Sequence, residues 1–215
     1  MLADPQLAAT LRTLPRISVH GPWYRTLAFD HLQAPPPGAA PGSPIQPLWP
    51  GGAALRGARF TPQATAALTA SFDCLYIASD VDTALAEVTR VLRPSGSKVP
   101  LLFEPQALMT VDGVLTNVVD LTGRGAQRSL QINRQTLTGD WILQQQDYLA
   151  GLGPMPDTQH LGDVTNGLGN IAALKFPSAK NPRGFCLVVF AAALTGTASY
   201  VELFNPTGAL QQRLP

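Results

Sequence analysis

Five polar side chains stand in otherwise apolar settings: Arg25 behind "GPWY", Arg59 in "RGARFTP", Tyr76 in "DCLYIAS", Glu87 in "TALAEV" and Ser178 in "LKFPSAKNPRGF". As types they comprise two cationic forks suited to anionic oxygens, an aromatic ring, a carboxylate able to act in catalysis, and a hydroxyl. Each also has a plainer explanation. The arginines can lie over neighbouring rings, and Tyr76 can simply pack. Glu87 can pair with Arg90 three residues on, worth a few tenths of a kcal/mol. Ser178 can cap a turn after Pro177. Taken singly, the plain explanation is the default, because functional polar residues are a minority.

Other signatures lack the context their chemistry needs. "GLGNIA", Gly167 to Ala172, fits G-x-G-x-x-A but follows "HLGDVTN" rather than a strand. No acidic residue stands about 20 positions on, so a dinucleotide fingerprint is not supported. His20, His31 and His160 have no metal-ligand spacing and no CxxC exists, so no metal site is expected. There is no G-x-S-x-G elbow. Cys74 and Cys186 lie in apolar strand-like runs, the pattern of buried thiols rather than a disulfide.

The elements that must position the five can be placed from periodicity. "DCLYIAS" alternates as a strand, with Leu75 and Ile77 on one face and Tyr76, expected at a sheet edge, on the other. Ser79 or Asp80 then caps a helix predicted to run to about Leu92, with Asp82 in its first turn. Val81, Leu85, Val88 and Leu92 form its apolar stripe, and Glu87 falls off that stripe beside its edge. "KVPLLFEP", "LTNVVDLT", "GFCLVVFAAAL" and "SYVELFNP" read as strands. "TGDWILQQQDYLAGL" reads as a helix opened by Thr138 or Asp140. Residues 33–52, "QAPPPGAAPGSPIQPLWPGG", are too rich in Pro and Gly for a packed element and form a long surface loop. Without regular βαβ alternation, the order favours an α+β fold: one domain over 1–215 with a central mixed or antiparallel sheet flanked by helices.

Composition narrows the class. The chain has 215 residues, 45% of them hydrophobic and 13% charged, with a net charge of +1. That balance fits one globular domain and offers no broad electrostatic footprint for nucleic acid or an anionic membrane. Neither a basic-then-apolar leader nor about 18 uninterrupted apolar residues occurs, so a cytoplasmic protein is expected.

Taken in order, "WYR", "GARFTP", "CLYIASDVDTALAEV", "DTQHLGD" and "LKFPSAKNPRGFCLVVF" resemble the RES domain family, named for an arginine, a glutamate and a serine. The motifs span residues 23 to 190, and the strongest keeps the family's eleven-residue offset between Tyr76 and Glu87. Thr61 stands where the family often has Asn or Ser, and the Pro/Gly-rich stretch and "TPQATAALTASF" lengthen segments short in many members. The resemblance implies an ADP-ribosyltransferase-like fold and the toxin half of a toxin–antitoxin pair, blocked by a partner with an Xre-type helix-turn-helix. It also implies NAD as substrate, rather than as a cofactor, consumed by phosphorolysis, hydrolysis or ADP-ribose transfer to a protein. Homo-oligomers stay open.

NAD chemistry gives the five residues roles. Arg25 and Arg59 would hold the pyrophosphate. Tyr76 would offer its face to the nicotinamide cation. Glu87, with Arg25, would be catalytic, the carboxylate bonding a ribose hydroxyl as oxocarbenium character builds. Ser178 would hold the carboxamide or a phosphate, or orient Glu87. Two alternatives remain beside this: a non-catalytic protein-binding module that keeps the fold, and an exported interbacterial effector.

Overall fold

A computed structural model describes residues 1–65, 71–92, 99–101, 105–205, 207–208 and 210–215, without the side chains of 90–92 and 99–101. In chain order, α1 (Asp4–Thr13) leads into β1 (Arg16–His20) and β2 (Trp23–Ala28), and the long loop ends at α2 (Gly52–Arg56). Next come β3 (Cys74–Ala78), α3 (Val81–Val88), the short pair β4 (Arg90–Leu92) and β5 (Val99–Leu101), and the 15-residue β6 (Gln106–Asp120). Four helices follow: α4 (Arg124–Ser129), α5 (Arg134–Thr138), α6 (Ile142–Leu149) and α7 (Asp157–Leu168). The chain closes with β7 (Ala173–Pro177), β8 (Phe185–Phe190), β9 (Tyr200–Leu203) and β10 (Arg213–Leu214).

The architecture is α+β, with an eight-stranded mixed sheet flanked by helices. Its strands run β10-β9-β6-β2-β3-β8-β7, and β1 is also paired to β6. Long β6 makes the sheet curl. Its first half pairs with β2 and its last residues pair in parallel with β7, so β6, β2, β3, β8 and β7 close a ring. Two residues of β6, Gly113 and Asn117, adopt positive φ. Gly113 also lies so close to β9 that a Cβ would stand 2.2 Å from the Tyr200 carbonyl oxygen.

Strand alternation sorts the core. Leu75 and Ile77 face one cluster with Trp23, Val111, Leu187 and Val189. Cys74 and Ala78 face the other with Phe60, Phe176, Cys186 and Val188, and Tyr76 packs against it. The assignment of faces along β3 therefore holds. Tyr76, however, is not at a sheet edge, because β3 is paired between β2 and β8. The long pairing with apolar β8 outcompetes an edge position.

The helix after β3 departs further from expectation. Asp80 caps it as predicted, its Oδ1 accepting from Thr83 N at 2.8 Å. It stops at Val88, however, because Thr89 is extended and the chain enters β4. The ammonium of Lys180 donates to the carbonyls of Glu87 and Thr89, satisfying groups that another helical turn would have used. The packed face is also different. Thr83 and Ala84 are buried while Leu85 is exposed. The Thr83 hydroxyl can be buried because it bonds Asp80 and Asn181. A small residue is needed there because Gly184 comes so near that its Cβ would sit 1.9 Å from Thr83 Oγ1. Glu87 thus belongs to the packed face rather than beside it.

Between 33 and 51 no helix or strand forms, as the prolines dictate, and Gly52 opens α2. The helix predicted in "TGDWILQQQDYLAGL" is α6, which starts at Ile142 rather than at its predicted caps. Asp140 still accepts from Ile142 N at 3.0 Å, whereas Thr138 ends α5. "KVPLLFEP" is a strand over Val99–Leu101, and its remainder falls partly outside the described residues. Both cysteines are free and buried. Among the described residues no helix is long and apolar enough to cross a membrane.

Candidate active site

Glu87 is fixed by the loop between β7 and β8. Its Oε1 accepts from Ser178 Oγ at 2.5 Å and from Ala179 N at 3.1 Å. Ser178 Oγ itself accepts from Lys180 N at 3.2 Å and Asn181 N at 2.9 Å, so its one proton is directed at the carboxylate. Ser178 is 2% exposed and stands behind Glu87. Asn181 Nδ2 reaches Thr83 Oγ1 at 2.8 Å, tying the same loop to the first turn of α3. Oε2 of Glu87 has no hydrogen-bond partner among the described residues, and the side chain lines a cavity.

Arg25 enters from β2. That strand pairs with β3 only at Tyr24↔Ala78, so the two diverge beyond it. The guanidinium fills the gap, with Nη1 donating to Tyr76 O at 3.0 Å. Its Nε is buried without an acceptor, and no carboxylate lies within ion-pair distance among the described residues. Burial lowers its pKa from the ordinary guanidinium range to about 10. Such an unneutralised cation is costly to keep unless an anion joins it.

Arg59 projects from the turn closed by the Ala58↔Thr61 bridge. Its Nη1 donates to Leu137 O at 2.9 Å and Gly139 O at 2.8 Å, which fixes the fork at the end of α5. Burial lowers its pKa, and the charge of Glu87 is the largest opposing influence. Tyr76 secures this turn, because its hydroxyl accepts from Phe60 N at 2.9 Å and lies 3.2 Å from Thr61 Oγ1. Thr61 is fully buried and also lies 2.7 Å from Cys74 Sγ. Burial raises the Tyr76 phenol well above its ordinary range, so it stays protonated. Helix α7 presses on the turn from behind, where a Cβ on Gly162 would lie 1.8 Å from Phe60 O.

Four of the five sequence candidates, Arg25, Arg59, Tyr76 and Glu87, therefore line one cavity of about 1140 Å³, and Ser178 supports it from behind. This exceeds the usual ligand pocket of about 300–1,000 Å³. The side chain of Arg90 lies outside the described residues, so the Glu87–Arg90 pair is not among the contacts seen. Sequence reasoning missed Asn181, Thr83 and Lys180 as supports of Glu87, and Gln159, whose Nε2 holds Ala58 O at 2.9 Å. The Asn-Pro turn at Asn181 and the glycines Gly162 and Gly184, inside stretches already singled out, were the available signals.

Comparison with known proteins bears on the family and the fold. The model of the RES domain matches residues 14–210. A chain of the crystal structure of the M. tuberculosis MbcT–MbcA toxin–antitoxin complex superposes with a TM-score of 0.59 at 17% identity. The match covers 93% of this chain and 90% of that one, a likeness of fold. No curated protein matches the chain. With the family's model spanning nearly its whole length, the chain belongs to the RES domain family.

Proposed function

We propose that this protein is a toxin that cleaves the nicotinamide–ribose bond of NAD in the cytoplasm and is neutralised by a cognate antitoxin of the Xre helix-turn-helix type. The observation that carries the proposal is the carboxylate of Glu87, tethered through Oε1 and open through Oε2, on the wall of a cavity that two half-buried arginines also line.

In this reading Arg25 and Arg59 take the pyrophosphate, and Arg25 gains the anion its buried charge lacks. The ring of Tyr76 faces the nicotinamide. Oε2 of Glu87 accepts from a ribose hydroxyl. As the C–N bond breaks, its electron pair leaves with neutral nicotinamide and the sugar gains oxocarbenium character, which the carboxylate stabilises. Water, phosphate or a protein side chain then adds to that carbon and gives up a proton. Ser178 keeps Glu87 in the one orientation that serves both events. Support for a partner comes from the structural neighbour, described as part of a toxin–antitoxin complex.

The test is product analysis of NAD incubated with the purified protein, with and without inorganic phosphate. Free nicotinamide is expected, and its partner product identifies the acceptor: ADP-ribose for water, its 1″-phosphate for phosphate, a labelled protein for transfer. Absence of nicotinamide release from folded protein would leave the binding module as the better account.

A further inference from the structure

We propose that Trp49 is the stacking platform for the purine base of the dinucleotide, and that the Pro/Gly-rich segment before it forms the wall of that subsite. The inference rests on the NAD reading above and extends it to the adenylate half of the substrate. The cavity that holds Glu87 and Arg59 continues under this segment, where Pro35, Pro36, Pro47 and Trp49 line it.

Trp49 is held by its own chain. In "WPGG" the indole folds back on Gly51, where a Cβ would lie 2.5 Å from Trp49 Cζ2 and 2.7 Å from Cε2. Only glycine leaves room for the ring there, and Gly52 adds a looser contact at 3.8 Å. The segment is itself anchored. Leu48 is fully buried, its N donates to Gln212 Oε1 at 2.6 Å, and Cys74 N donates to Pro50 O at 3.1 Å. Trp49 thus has one side packed and its place fixed, while among the described residues no aromatic ring stacks on it and its Nε1–H meets no acceptor. A flat neutral base fits such a surface, because stacking on an indole needs no matching charge. The proline rings that line the same cavity are rigid and lose little freedom when a base enters. The cavity volume, larger than a drug-sized pocket, leaves room for the whole dinucleotide.

Binding measurements on full-length protein carrying Glu87→Gln, which slows any turnover, test this with two overlapping fragments of the substrate. Trp49→Ala should weaken ADP-ribose binding about tenfold or more, the scale of one lost base stack. It should leave nicotinamide mononucleotide, which has no purine, within about twofold. Trp49→Phe should recover most of the ADP-ribose affinity, and Gly51→Ala, which displaces the indole without removing it, should lose it. Unchanged ADP-ribose binding in Trp49→Ala overturns the proposal. So does equal loss of both ligands in Trp49→Ala and Trp49→Phe, the mark of a structural role. If wild-type protein releases no nicotinamide from NAD while Trp49 still governs ADP-ribose binding, the NAD-cleavage reading fails and the purine subsite stands.

Discussion

Ser178 Oγ donates to Glu87 Oε1 at 2.5 Å across 91 positions of sequence, and both lone pairs of that hydroxyl are taken up by Lys180 N and Asn181 N. The serine is therefore a one-way clamp. Glu87→Gln keeps size but loses negative charge, so kcat for nicotinamide release should fall by about 10²-fold or more with little change in NAD affinity. Ser178→Ala leaves the charge and removes only the orientation. We expect a smaller fall in kcat, about tenfold, with a stability loss of ~1–3 kcal/mol from the two stranded N–H donors. Steady-state kinetics and urea melts on the two variants check both statements. Near-normal turnover in Glu87→Gln would return Glu87 to the role of a surface charge.

Arg25 has a buried Nε without an acceptor and, among the described residues, no carboxylate beside it, so binding and stability should respond to its loss in opposite senses. Arg25→Met keeps much of the volume and removes the charge. KM for NAD should rise at least tenfold, while the melting temperature of the ligand-free protein should hold or increase. Calorimetry of both proteins without NAD gives the comparison. A variant that melts well below wild type would mean that the bond to Tyr76 O outweighs the buried charge.

The two buried thiols predict how stability falls in alkali. Burial pushes Cys74 from 9.0 to about 12 and raises Cys186 from the same ordinary value. Above pH 9 the unfolded chain releases these protons and the folded protein keeps them, so the unfolded state binds fewer protons and stability declines as pH rises. Between pH 9 and 10 the thiols outweigh Arg25, whose lowered pKa of about 10 acts with the opposite sign and grows as pH passes that value. Cys74→Ala should therefore flatten the loss of unfolding free energy across pH 9 to 10, measured by urea titration at each pH. An unchanged slope would show that Cys74 deprotonates equally easily in both states.

Gly184, in the loop that holds Ser178, lies so near Thr83, on the helix that carries Glu87, that a Cβ added to it would stand 1.9 Å from Thr83 Oγ1. Gly184→Ala should cost about 1–3 kcal/mol by overpacking and lower kcat although neither residue lines the cavity. In a Thr83→Ala background, where the hydroxyl and methyl are gone, the same change should cost less. A double-mutant cycle reads this coupling directly, and additive effects would rule the contact out as the cause.

Several parts of this protein were legible locally. Alternation along residues 74–78 separated Leu75 and Ile77 from Tyr76, and the tertiary clusters follow that division. Asp80 announced its cap, the prolines of 35–47 ruled out regular structure, and the apolar settings of Cys74 and Cys186 announced buried thiols. The motif series from "WYR" to "LKFPSAKNPRGF" announced the family. These features depend on dihedral preference, side-chain period and residue type, which a chain carries wherever it folds.

Position was a different matter, and only the tertiary structure decided it. Hydropathy placed Leu85 inward and Glu87 beside the stripe, yet the near contact of Gly184 with Thr83 turned the helix so that Leu85 is exposed and Glu87 faces the cavity. The length of that helix was settled by a lysine 93 residues beyond Glu87, whose ammonium satisfies the last carbonyls. Tyr76 reads from sequence as a cavity ring, and only folding shows its hydroxyl anchoring the turn of Arg59. The single pairing between β2 and β3, which opens the gap for Arg25, follows from the curl that long β6 imposes on the sheet. Residue type could nominate five side chains, but their convergence depends on strand pairings and backbone approaches between distant segments, and no local pattern encodes those.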